Sequence, residues 1–178
     1  MFFYHLLCSA GLAASIAGQT FPDTVTLDEQ KLQVNGVGLR EKFWIDIYAA
    51  GLYLPEKTRS ANEIITSDVP KRVHAKFILS IPKSKMVEAL EENIEMNPNL
   101  STQAIKDIRY ASKWMEDFSS GDEMIFDYIP GKGTTIIIKG KAKGTIESID
   151  FMEAVFAMYV GPHPASEQLK EGLLGIKP

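Results

Sequence analysis

Cysteine is nearly absent: Cys8 is the only one in 178 residues, and it lies in an N-terminal stretch unlike the rest of the chain. That stretch, "MFFYHLLCSAGLAASIAGQTF", also lacks Lys, Arg, Asp and Glu, the first charged residue being Asp23. Its first ~17 residues are too few for a comfortable membrane span, which needs ~20. Ser15-Ile16-Ala17 places small residues at the −3 and −1 positions of a signal-peptidase site. Residues 1–17 therefore read as a secretory signal peptide, atypical in having only His5 in its n-region, with a retained anchor or a mis-called start codon as the alternatives. On this reading residues 18–178 form an exported protein, periplasmic or secreted, with no membrane span after cleavage and no thiol. Disulfides, a cysteine nucleophile and a thiolate metal site are then excluded.

A basic excess is also missing. Lys and Arg number 19 against 23 Asp and Glu, for a net charge of −4, so nucleic acid is not an expected partner. Lys139, Lys141 and Lys143 in "IKGKAKG" share one face of a strand and read as a solvated strand face rather than a phosphate patch. No metal is expected: of three histidines, His5 is in the leader, His74 is mid-strand and His163 stands between two prolines. "PGKGTT" is no phosphate loop, because Phe126 occupies the position of its first glycine and Gly133 follows Lys132. No Gly-x-Ser-x-Gly elbow occurs. Glu88, Glu91, Glu92 and Glu95 form a stripe behind Lys83 and Lys85, as a solvated helix face does. No cofactor is implied.

What remains is an ordinary globular composition, 45% hydrophobic and 24% charged, without repeats or a linker. A single domain over 18–178 is the simplest organisation. Asn35-Gly36 is a turn candidate between two short strands. From Phe43 to Leu54 the only charge is Asp46, and both alternating sets are mainly apolar, as in a strand covered on both faces. A further strand fits residues 71–81. "PKSKMVEALEENIEMNP" switches to helical spacing, with Met86, Val87, Leu90 and Ile94 on one side and a stop at Pro98. Ser101 is a candidate N-cap for the next helix, with Ala104, Ile105, Ile108, Met115 and Phe118 turned inward. Residues 122–148 fit a three-stranded meander. Two terminal helices follow, each closed by a glycine, Gly161 and Gly175, at the C′ position. Strands, helices, strands and helices without βαβ alternation indicate α+β, an antiparallel sheet with helices on one face.

Two polar residues stand out against this pattern. Arg40 sits three residues before the two-sided apolar strand, and a buried arginine needs a carboxylate or several acceptors; it either points into a cavity or reaches the surface. Asn93 falls on the apolar side of its helix, where a primary amide needs partners. It either bonds backbone or lines a pocket with a polar end.

The blocks "NGVGLREKFWIDIYAAGLYL", "KRVHAKFIL", "GDEMIFDYIPGKGTTIIIKGKAKGTIES" and "DFMEAVFAMYVGPHPASEQLKEGLLG", with the Asn93 helix between them, resemble the chalcone isomerase-like family in its exported bacterial branch, over about residues 30–175. The resemblance implies an open-faced β-sandwich, a large antiparallel sheet under a layer of helices. It matches Arg40 to the family arginine and Asn93 to its pocket asparagine. Where the plant isomerases carry a threonine this chain has Tyr48, and where they carry a tyrosine it has Met86. Met158 or Tyr159 falls where a further threonine stands. These departures replace or lose two hydroxyls used in cyclisation. They resemble instead the non-enzymatic branch that holds a fatty-acid carboxylate with an arginine and a tyrosine. The implied ligand is a small apolar carboxylate, with Arg40, Tyr48, Met86, Asn93, Met158 and Tyr159 around it. A cofactor-free isomerase using Arg40, Tyr48 and Asn93 is the alternative, and an interaction module with a collapsed interior is the third.

Overall fold

A computed structural model describes residues 13–177. Seven strands form one antiparallel sheet in chain order: β3 (Thr24–Leu27), β4 (Gln30–Lys42), β5 (Ile45–Leu54), β6 (Lys71–Phe77), β7 (Glu123–Ile129), β8 (Gly133–Ile138) and β9 (Lys141–Ile146). A small hairpin of β1 (Ala14–Ile16) and β2 (Gln19–Phe21) precedes them. Helices α1 (Ala61–Thr66), α2 (Lys83–Met96), α3 (Thr102–Ser112), α4 (Ile149–Val160) and α5 (Glu167–Leu173) complete the chain. The protein is α+β, as its element order implies. None of the described helices is long and apolar enough to cross a membrane.

The alternation of β5 divides the interior in two. Tyr48, Ala50, Leu52 and Leu54 face the helices and join the larger core with Phe77, Phe126, Phe156 and Leu169. Ala49 and Tyr53 face the opposite way, into a smaller cluster with Phe21, Leu32, Val34 and Leu39. The β1–β2 hairpin caps that cluster, with Phe21 edge-on to His74 and the Lys76 ammonium donating to Thr20 O at 2.9 Å. Arg72 forks onto Asp127 at 2.5 and 2.6 Å on the same face. The expected leader boundary, Ala17-Gly18, coincides with the turn of this hairpin.

Several local signals act as expected. Ser101 Oγ accepts from Ala104 N, Asn97 ends α2 before Pro98, and residues 123–146 form the meander. Others differ. Asn35-Gly36 is not a turn but lies inside the 13-residue β4, next to a register shift. The turn falls at Asp28-Glu29, both at positive φ. Gly36 is selected by close approach instead: a Cβ there would meet Gly172 O at 2.2 Å. Asn35 binds the same helix, donating to Leu173 O at 2.8 Å and accepting from Thr58 N at 2.8 Å. Phe43 and Trp44 belong to the β4–β5 turn, and β5 begins at Ile45. β6 stops at Phe77, leaving Ile81 in an isolated bridge with Phe118. Gly161 closes α4 in extended backbone, whereas Gly175 takes the left-handed conformation expected of C′. Lys139 turns out of the strand at φ 52°, toward Glu116 and Asp122.

Candidate ligand-binding cavity

Between the helix-side face of the sheet and α2 lies an open cavity of about 310 Å³. Its builders come from separate parts of the chain. Arg40 and Tyr48 are cross-strand partners in β4 and β5, so their side chains leave the same face of the sheet. Tyr48 in turn pairs with Phe77 of β6, and the two rings lie 5.7 Å apart. Met86 and Asn93, seven residues apart, share one side of α2. Met158 and Tyr159 arrive from α4. All six residues singled out in the sequence line this one cavity.

The walls are otherwise apolar. Ile47, Phe77, Ile81, Met115, Met124 and Phe126 complete them, and Lys42, Lys85, Glu88, Glu92 and Met96 form an exposed rim. The strand residues of this set were not singled out from the sequence, although alternation marks them. Phe77 continues the Val73-Ala75 face of β6, which pairs with the Met124-Phe126 face of β7. Five methionines in the lining, Met86, Met96, Met115, Met124 and Met158, give a polarisable surface able to follow a flexible apolar guest.

The polar groups gather around Arg40. Its guanidinium carbon lies 6.0 Å from the Tyr48 ring centroid, and no carboxylate pairs with it among the described residues. Burial pushes the Tyr48 phenol above its ordinary pKa, against the pull of the Arg40 charge. Burial raises Tyr159 well above its usual value too, with Tyr48 adding to the rise and Arg40 opposing it. Both phenols thus remain protonated near neutral pH. They are hydrogen-bond donors there, not bases. Asn93 is buried, 6% exposed, and lines the cavity; its backbone carbonyl accepts from Asn97 Nδ2 at 2.8 Å. A fixed cation, neutral donors and a Met-rich chamber together suit an anion with an apolar tail. Among the described residues no three His, Cys, Asp or Glu side chains converge as a metal site requires.

The chain belongs to the chalcone isomerase-like family, whose profile matches residues 13–175. Its fold is that of the crystal structure of an Arabidopsis thaliana fatty-acid binding protein, at a TM-score of 0.72 and 15% identity over 92% of this chain and 96% of that one. No curated protein matches the sequence.

Proposed function

We infer that this protein binds a small apolar carboxylate, such as a fatty acid, without transforming it. The observation that carries the reading is Arg40, a cation with no carboxylate partner among the described residues, set beside two protonated phenols at a mainly apolar cavity. The ligand carboxylate would accept from Arg40, Tyr48 and Tyr159, while its chain lies against Phe77, Phe126 and the methionines. A charge-assisted contact of this kind contributes ~1.5–3 kcal/mol, and each buried methylene ~0.8 kcal/mol. The fatty-acid binding protein of the same fold supports the ligand class by analogy.

Cavity size sets an expected chain length. Taking a methylene as comparable to the ~30 Å³ share of a liquid water, 310 Å³ accommodates on the order of ten chain atoms. In calorimetric titrations of straight-chain carboxylates, affinity should rise about fourfold per methylene up to roughly ten carbons, then level off as the tail passes the rim. Affinity independent of chain length would remove the cavity from the account. Stereoselective cyclisation of a chalcone would move the site to the cofactor-free isomerases.

Export is a separate proposal, resting on the uncharged, small-residue N-terminal stretch. N-terminal sequencing of the protein from its own host should find a chain beginning near Gly18. An intact Met1 on a membrane-associated product would identify an anchor.

A further inference from the structure

The β4–β5 hairpin turns through only two residues, Phe43 and Trp44, because Lys42 already pairs with Ile45. Both hold positive φ, 53° and 62°. Such turns favour Asn-Gly, and bulky side chains in left-handed backbone are costly. The fold gains no packing in return. Phe43 is 78% exposed, Trp44 90% and the adjoining Ile45 53%. This apex also continues the mouth of the cavity. Lys42 lines the rim with Lys85 and Glu88, and its ammonium lies 5.9 Å from the Phe43 ring centroid.

We propose that the Phe43-Trp44 apex inserts into the interfacial layer of a lipid bilayer and seats the cavity mouth against the membrane. Size and charge select this occupant over a protein. Two aromatic side chains at 150–250 Å² each offer about 300–500 Å², short of the ~800 Å² per partner in a stable protein interface. At a membrane a few aromatic side chains suffice, with lysines at headgroup level. Arg40 and Lys42 balance Glu41 and Asp46, so residues 40–46 carry no net charge on a chain of −4. A bilayer therefore meets a neutral apex. The purpose of docking, passage of a carboxylate between bilayer and cavity, rests on the binding reading above; docking itself does not.

Trp44 and Trp114 are the two tryptophans, so Trp114→Phe isolates Trp44 as a probe. Phosphatidylcholine vesicles should shift its emission to shorter wavelength, and bromine-labelled acyl chains should quench it. The double substitution Phe43→Asn/Trp44→Gly suits the turn and replaces no residue of the cavity lining. It should preserve the fold and decanoate affinity while lowering co-sedimentation with vesicles about ten-fold or more. Trp44 emission indifferent to vesicles, or a double variant that sediments as well as the wild type, overturns the proposal. So does self-association that the double substitution abolishes in a protein that ignores vesicles. Vesicle binding without decanoate binding would uphold docking and count against the cavity reading instead.

Discussion

Arg40→Ala is expected to weaken decanoate binding about 30-fold or more. Truncating one partner of a desolvated charge pair costs ~2–5 kcal/mol, because the remaining charge stays in the low-dielectric site without its counterpart. Tyr48 and Tyr159 cannot replace it, since neutral phenols donate but supply no charge. Arg40→Lys should recover only part of the loss, as an ammonium lacks the planar two-point contact. Stability without ligand should hold in both variants, because Arg40 is only partly buried before a ligand covers it and forms no salt bridge among the described residues. Calorimetric titrations and thermal melts check the two halves of this pattern. Unchanged affinity in Arg40→Ala would remove Arg40 from the site.

The second large effect lies away from the cavity. Lys71 is completely buried, yet its ammonium is well satisfied: it donates to Ile64 O at 2.6 Å, Ser67 O at 2.9 Å and Ile65 O at 3.3 Å. These are the free carbonyls at the end of α1, which otherwise has no basic residue in its last turn. The Phe156 ring stands 4.8 Å from the ammonium on another side. Lys71→Ala should destabilise the fold by about 3–5 kcal/mol, through unpartnered carbonyls and a void, partly offset by relief of the buried charge. Denaturant melts measure this, and a loss under ~1 kcal/mol would mean that water replaces the ammonium without cost.

The same residue gives a pH signature. Burial lowers the Lys71 pKa to about 8, with Glu153 and Asp68 pulling the other way, whereas the unfolded chain keeps a value near ~10.4. Between these the unfolded state binds more protons, so the Lys71 contribution makes stability rise with pH from about 8 toward ~10. Tyr53 and Tyr128 oppose it above ~10: burial raises both to about 12, and the stability they contribute below their unfolded value is lost as pH climbs through the folded one. Lys71→Met should lack the rise and keep the fall.

What the sequence made legible is what periodicity and caps encode. The two apolar sets of β5, the α2 stripe with Asn93 on its inner side and the Ser101 cap follow from spacing alone, and the six cavity residues were reached by adding family resemblance to that spacing. The failures have physical causes of another kind. Asn35-Gly36 has the composition of a turn, but its glycine answers to the backbone of α5, a contact over 130 residues away in the chain. Lys71 opens a strand after a loop, where lysines are normally solvated; its burial depends on α1 ending overhead. Phe43 and Trp44 extend an apolar run and so read as strand, although the chain reverses there. Each case turns on a tertiary contact or a backbone conformation that local pattern does not carry.

Carbon-13 NMR of carboxyl-labelled decanoate bound to the wild-type protein tests the central claim most directly. A carboxylate held by Arg40 and two neutral phenols should give a single bound resonance that stays ionised well below the pH at which free decanoate protonates, since both the charge and the hydrogen bonds favour the anion. A bound resonance that titrates like free decanoate, or no bound resonance at all, would contradict the assignment of the cavity as a carboxylate site.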